Sequence, residues 1–178
     1  LAYIHSKGII HMDIKPSNIM MEQGRNVRLM DLGISDVTET VNSSTSGMMG
    51  TPKYAAPEQF SDVENKPQLT SATDIYEAGI TLYELITKQN PFSAATIAEA
   101  KELHHGMVLP QVPGISDSVF EVTRKATAIH PSDRYQNANA MKTALKAALP
   151  PRNFSKFDRF MKKVQDSNVS VIANILKK

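Results

Sequence analysis

The spacing of apolar residues changes character along the chain, and each change predicts an element. "LAYIHSKG", residues 1 to 8, reads as the last turns of an amphipathic helix with Gly8 as its stop. Short β-prone runs follow. Ile19 to Met21 and Val27 to Met30 flank "EQGRN", whose Gly24 and Asn26 suit a turn, so a small hairpin is predicted there. Residues 31 to 58 lose periodicity. "DVTETVNSSTSGMMGTP" is polar and rich in Ser and Thr, and a loop this long inside a compact domain is usually functional or mobile. Beyond it the pattern turns helical. "SATDIYEAGITLYELIT" sets Ile75, Ala78, Gly79, Leu82, Tyr83 and Ile86 at helical spacing with apolar residues on several faces, which predicts a buried central helix. "AATIAEAKELHHG" predicts a shorter amphipathic helix ending at Gly106. "SDSVFEVTRKATAIHP" predicts another, capped by Ser116 or Asp117 and stopping before Pro131. "ANAMKTALKAALPP" is Ala-rich and closed by Pro150 and Pro151. The predicted class is α+β, mainly helical with one small hairpin, and no internal repeat is visible.

The segment from 150 to 178 stands apart. From Pro151 it carries seven Lys and Arg residues against Asp158 and Asp166, and Phe154, Phe157, Phe160, Met161 and Val164 make one apolar helical stripe. Such stripes are usually core, which favours a helix packed on the domain with a solvated basic face. A helix that binds a partner or a membrane surface is the alternative.

Composition narrows the class only a little. At 178 residues, with 41% hydrophobic and 21% charged residues, the chain suits one soluble domain with a real core. Lys plus Arg is 20 against 18 for Asp plus Glu, and a net charge of +2 gives no argument for nucleic acid or acidic partners. The absence of cysteine excludes disulfides and thiolate metal sites and fits a reducing compartment. No apolar run is long enough to cross a bilayer, and the start carries no signal peptide. The chain opens on Leu1 in mid-helix, which reads as a fragment.

The chemistry concentrates in "GIIHMDIKPSNIM", residues 8 to 20, where polar spacing follows neither a helix nor a strand period. His-x-Asp-x-Lys-x-x-Asn fixes four residue types, so chance supplies about one match per thousand chains of this length, at ~1 in 20 per position. Two more signals lie downstream in compatible order. "DLG", beginning at Asp31, directly follows a predicted strand, and "GTPKYAAPE", Gly50 to Glu58, closes the polar loop.

With these residues in view, the chain resembles the large C-terminal lobe of a eukaryotic-type protein kinase, over nearly everything up to Leu149. "HMDIKPSN" resembles the catalytic loop, "DLG" the metal-binding element and "AAPE" the end of the activation segment. "SATDIYEAGITLYELIT" resembles the central helix of that lobe and "HPSDRYQNA" the segment holding its buried Arg. Several phrases are most similar to the bacterial Ser/Thr branch. The implied division is a kinase lobe over 1–149 and a basic helical tail over 150–178. The implied activity is transfer of the ATP γ-phosphate to a protein Ser or Thr, with Mg²⁺, in the cytoplasm or on the cytoplasmic face of a membrane-anchored parent.

Phosphoryl transfer asks for positioning and charge neutralisation more than covalent chemistry. By the resemblance Asp13 is the base that accepts or orients the substrate hydroxyl proton. Lys15 puts a cation near the transferring phosphate. Asn18 and Asp31 offer hard oxygen ligands suited to Mg²⁺, and the hairpin between them is expected to bring them together. Lys15, Asn18, Met20 and Asp31 form the implied ATP-binding set, with the Met20 thioether under the adenine ring, although the position would also suit simple core. Lys15 together with "GTPKYAAPE" resembles Ser/Thr rather than Tyr kinases, and Thr51 is expected to bridge Asp13 and Lys15 through its hydroxyl on the substrate platform. His11 reads as structural, since a lone His among apolar residues is more often packed than catalytic. Asp74, in an apolar helix, needs donors, which the family supplies from the catalytic-loop backbone. Glu58 and Arg134 are the implied buried ion pair.

The sequence departs from the family pattern in three places. Leu32 replaces Phe with an apolar side chain of similar reach. No G-x-G-x-x-G run is present among the eight glycines, nor a strand carrying the phosphate-holding Lys, so the small lobe, roughly a third of a kinase catalytic domain, is expected to be missing. The faces around Leu1, Ile4, Met20 and Leu32 are then expected to be exposed. A pseudokinase scaffold is the rival reading, disfavoured because Asp13, Lys15, Asn18 and Asp31 are all present. A small-molecule kinase is disfavoured by the peptide-platform segment. Finally, Met12 stands where regulated members carry an Arg that pairs with a loop phosphate. Ser43, Ser44, Thr45 and Ser46 are plausible phosphosites by location, but this counter-cation is absent. Loop phosphorylation is therefore expected not to be the main on-switch. Alanine at all four positions, in the longest natural form of the protein, should leave most phosphotransfer activity; complete loss in a phosphate-incorporation assay would refute this.

Overall fold

In the computed structural model, residues 1–22, 26–32, 50–60 and 68–149 are described. The first helix, α1 (Ala2–Ser6), stops where Gly8 takes a φ of 73°. The Gly8 N–H donates to His5 O and the Ile9 N–H to Ile4 O, each at 3.0 Å. This pair satisfies the last helical carbonyls, and glycine enters the left-handed region without a Cβ penalty. The chain then runs extended to a 3-10 turn, Pro16–Asn18, and into the hairpin. Strand β1 (Ile19–Glu22) pairs antiparallel with β2 (Asn26–Leu29), with Ile19 opposite Leu29 and Met20 opposite Arg28. The ladder runs one residue further toward the turn on each strand than the sequence suggests, and Met30 falls outside it. Glu and Asn are poor strand formers, but pairing of their backbones does not depend on side-chain type.

The centre of the fold is α2 (Ser71–Thr87), buried continuously from Ala72 to Tyr83. Its start is fixed by Thr70, whose Oγ1 accepts from the Ala72 N–H at 3.2 Å while Thr73 Oγ1 accepts from the Thr70 N–H at 3.1 Å. Around it lie α3 (Ile97–Gly106), α4 (Asp117–Ala126) and α5 (Ala138–Ala148), capped by Thr96, Ser116 and Asn137. Ser116, not Asp117, is the cap of α4: its Oγ accepts from the Val119 N–H. That helix ends at Ala126, before Pro131, and Arg134 takes the carbonyls of Ala128 and Ile129 just beyond it into its own hydrogen bonds. Helix α2 packs on α4 and α5, while α3 packs on a 3-10 turn at Pro57–Phe60. Ile75, Tyr76, Ile80, Leu82, Tyr83, Phe92, Met141 and Leu145 fill the core, each contributing about 1.5–3 kcal/mol by burial.

The apolar face expected around Leu1, Ile4, Met20 and Leu32 is only partly open. Met20 is 52% and Leu32 40% exposed, but Leu1 is 5% exposed and Ile4 partly buried, since both pack on the main core from the α1 end. Among the described residues no helix is long and apolar enough to cross a membrane.

Gly79 shows how tightly α2 and α4 approach. A Cβ there would meet Thr127 Cγ2 at 2.7 Å and the Ala126 Cβ at 2.9 Å. Gly79→Ala should therefore lower stability by about 1–3 kcal/mol despite alanine's better helix propensity. Urea unfolding measures this, and an unchanged midpoint would show that the two helices separate freely.

Candidate active site

The loop from His11 to Lys15 is shaped by α2. Asp74, fully buried, accepts from the His11 N–H at 2.9 and 3.1 Å, the Met12 N–H at 2.9 Å and His5 Nε2–H at 2.7 Å. One turn on, Glu77 Oε2 accepts from the Ile14 N–H at 2.7 Å, and Thr81 Oγ1 donates to Ile14 O at 3.1 Å. Helical spacing puts these three side chains on one face of α2. His11 is fully buried; its Nδ1 accepts a long bond from the Asp13 N–H, and its Nε2–H donates to Met30 O at 3.0 Å. The loop is thereby tied to the end of β2. Met12 takes a φ of 64°, a left-handed position costly for a side chain of this size. Its N–H bond to Asp74 and the Gln59 Nε2–H bond to its carbonyl, 3.1 Å, hold it there.

This backbone presents four side chains as one network. Asp13 Oδ1 accepts from Thr51 Oγ1 at 2.6 Å, and Asp13 Oδ2 lies 2.7 Å from Lys15 Nζ and 3.0 Å from Asn18 Nδ2. Lys15 Nζ also donates to Thr51 Oγ1 at 2.6 Å. Asn18 Nδ2 bonds the Asp13 carbonyl at 2.8 Å as well. Burial pushes the Asp13 carboxyl up, but Lys15, Thr51 and Asn18 together outweigh it and hold it below the usual Asp value. The group is an ionised acceptor at neutral pH, still about a quarter exposed.

Asn18 and Asp31 are brought together by the sheet. The Met30 N–H donates to Asn18 O at 2.7 Å, so Asp31 leaves β2 beside Asn18, with a φ of 50°. Asn18 commits its amide nitrogen to Asp13, which leaves its side-chain oxygen as a hard ligand, and the Asp31 carboxylate is exposed. Among the described residues no cluster of three or more His, Asp or Glu side chains could hold a metal alone. A pair of oxygen ligands of this kind suits Mg²⁺, which keeps waters and substrate phosphates in its shell. Met20, half exposed on β1, offers an apolar surface on the same hairpin.

Residues 50–60 close the site from the other side. Arg134 is 2% exposed and donates to Glu58 at 2.7 and 2.8 Å, to the carbonyls of Ala72, Ala128 and Ile129, and stacks 4.8 Å over the Tyr76 ring. Burial pushes the Glu58 carboxyl up; Arg134 more than offsets this and holds it below its usual value. His104 of α3 pins the segment a second time. Its Nε2–H donates to Pro52 O at 2.9 Å, its Nδ1 accepts from the Tyr76 hydroxyl at 2.7 Å, and its ring stacks 4.1 Å from Phe92.

Glu77, His104, Gln59 and Thr81 escaped the sequence reading. The one signal for Glu77 was a second carboxylate at i+3 from Asp74 on an apolar helix. His104 looked like an ordinary residue in a last turn. Gly33, the four loop hydroxyls Ser43 to Ser46 and the tail over 150–178 lie outside the described residues.

A helical lobe whose central helix anchors the loop bearing Asp13, Lys15 and Asn18, with Thr51 closing the cluster and a hairpin leading to Asp31, has the architecture of a kinase-type large lobe. The profile of the protein kinase domain matches residues 1–146, and the chain belongs to that family, in its serine/threonine branch. It is similar to PknL, a serine/threonine-protein kinase of Mycobacterium tuberculosis, at 32% identity over 152 residues, 83% of this chain and 37% of that protein. It is similar to the serine/threonine-protein kinase PrkC of Bacillus subtilis, at 32% identity over 153 residues, 83% of this chain and 23% of that protein. The probable serine/threonine-protein kinase PknB of Corynebacterium glutamicum is 36% identical over 151 residues, 77% of this chain and 22% of that protein. The chain thus spans between 22% and 37% of the length of these relatives. Its α+β fold, mainly helical with a two-stranded sheet, is that of the family's large lobe.

His104 makes the fold pH-sensitive. Burial pushes its imidazole down to about 4 from 6.5. Between these values the unfolded chain takes up a proton that the folded chain refuses, so stability falls as pH drops from about 6.5 toward about 4. The loss should reach about 3 kcal/mol across that window. The depressed carboxyls of Asp13 and Glu58 add to it at still lower pH. Urea unfolding at a series of pH values should show a slope that His104→Gln reduces; an identical slope in the variant would exclude this origin.

Proposed function

We propose that these residues form the catalytic large lobe of an ATP- and Mg²⁺-dependent protein serine/threonine kinase, with the lobe over 1–149 and a separate basic tail over 150–178. The observation that carries the reading is the closed network of Asp13, Lys15, Thr51 and Asn18. In the proposed reaction the oxygen of an acceptor Ser or Thr bonds to the γ-phosphorus of ATP as the bond to the β-phosphate oxygen breaks. The hydroxyl proton passes to Asp13, and ADP leaves.

Asp13 is a weak base, because its neighbours hold it low. It orients the hydroxyl and takes the proton late, which suits a loose, largely dissociative transition state. Lys15 stands within reach of the same space, where its ammonium offsets charge on the transferred group. Thr51 holds base and cation at a fixed separation and belongs to the segment on which a peptide acceptor would lie. Asn18 and Asp31 would hold Mg²⁺, which supplies charge neutralisation at the phosphates. Met20 would lie against the adenine. The reading includes a cytoplasmic location, or the cytoplasmic face of a membrane, and a protein acceptor. The Lys- and Arg-rich segment 150–178 offers charge for a partner to bind.

The chain by itself should bind ATP–Mg²⁺ weakly and transfer little or no phosphate, because these residues offer one side of a nucleotide site. Calorimetry measures this, and tight binding would overturn it. In the longest natural form, Asp13→Asn should cut phosphotransfer to dephosphorylated casein by about 10²–10⁴-fold while the protein still unfolds cooperatively in urea. Undiminished transfer in that variant would remove Asp13 from the chemistry, and no transfer by the unaltered protein would favour a scaffold.

A further inference from the structure

Helix α2 carries two buried carboxylates one turn apart, and they are treated differently. Asp74 accepts from three N–H donors, on His5, His11 and Met12, the His11 N–H reaching both of its oxygens. Glu77, equally buried, has one backbone donor, the Ile14 N–H at 2.7 Å, and the Gln59 side chain beside it. Its Oε1 is buried and turned toward Gln59, whose amide also serves the Met12 carbonyl. Burying a carboxyl on so few donors costs free energy, so an apolar residue would be the stabler choice unless the acid has a task.

Its position indicates the task. Ile14 lies between Asp13 and Lys15 and is 1% exposed, so no water replaces Glu77 as acceptor for its N–H. Glu77 on the N–H and Thr81 on the carbonyl hold both peptide units that separate the two charged side chains. The same carboxyl faces the 50–60 segment. A Cβ on Gly50, whose φ is 89°, would lie 2.5 Å from Met12 O, 3.1 Å from Gln59 Nε2 and 3.7 Å from Glu77 Oε1. Gln59 Nε2 itself donates to Met12 O. Glu77 thus stands where the loop and both ends of the segment meet. Burial, reinforced by the Asp74 charge, pushes its carboxyl well above the usual Glu value.

We propose that Glu77 is a positioning residue for phosphoryl transfer, setting the peptide between Asp13 and Lys15 against the 50–60 segment so that the two side chains keep their geometry while that segment is seated. The proposal rests on the phosphotransferase reading. A residue needed only for packing would be replaced by any side chain of equal volume, whereas a positioning acceptor would not.

Glu77→Met keeps the volume and removes the acceptor; Glu77→Gln keeps an acceptor and supplies a donor. Amide hydrogen exchange of this chain, read by NMR, and casein phosphorylation kinetics of the longest natural form separate the two roles. In Glu77→Met, exchange at Ile14 should rise about tenfold or more and kcat should fall about tenfold, with the KM for ATP within about threefold. The His11 and Met12 amides, held by Asp74, should change less than about threefold, and Glu77→Gln should match the unaltered protein within that margin in both readings. Unchanged Ile14 exchange and kcat in Glu77→Met would overturn the proposal, as would a Gln variant as impaired as the Met one. If the unaltered protein transfers no phosphate, the phosphotransferase reading falls, and with it any role in transfer. Ile14 exchange then still reports whether the Glu77 link exists. Should Glu77→Met fail to fold, Glu77→Asp, which withdraws the carboxyl by one methylene, takes its place with the same readings.

Discussion

Asp74 lies in the first turn of the buried central helix with none of its surface exposed, a placement tolerable only with a full set of donors. Those donors are the backbone of His11 and Met12 and the His5 ring. The helix cannot be buried unless the loop lies across it, and the loop cannot hold Met12 in a left-handed conformation without the helix. The mutual dependence makes the loop a rigid element. Asp13 and Lys15 inherit that rigidity without contacting Asp74.

A second buried charge works in the same way further out. Arg134 draws together Glu58, the start of α2 and the chain just past the end of α4. Breaking such a pair strands a charge in the interior, which is why one residue can hold a segment so firmly. His104 adds a neutral clamp, bonded at one nitrogen to α2 and at the other to Pro52. Residues 50–60 are thus held by Arg134, His104 and Gln59, and Thr51 is delivered to Asp13 as a result. The strain and buried polar groups lie close to the proposed chemistry, while the rest of the fold is ordinary helix packing.

Legibility in the sequence tracked local density. Asp13, Lys15 and Asn18 fall within six residues, so their grouping could be read without a fold. The helices could be read because apolar spacing and caps such as Ser116 and Thr96 act within a few residues of where they stand. Even so, the extent of the hairpin was misplaced, by backbone pairing indifferent to side-chain type. Glu77 and His104 stayed hidden for another reason. A Glu in a helix normally faces water and a His near a helix end normally serves its dipole; only partners 63 and 52 residues away change those meanings. Leu1, expected at an open face, is covered because the α1 end folds back onto the main core.

By itself, then, the sequence determined the elements, the class and the inventory of reactive groups, because those depend on short-range periodicity and on residue types close along the chain. The tertiary structure decided which acid is a part-exposed acceptor and which are buried anchors. Asp13, Asp74 and Glu77 are chemically near-identical carboxyls. Burial and hydrogen-bond donors distinguish them, and both come from residues far away in the sequence.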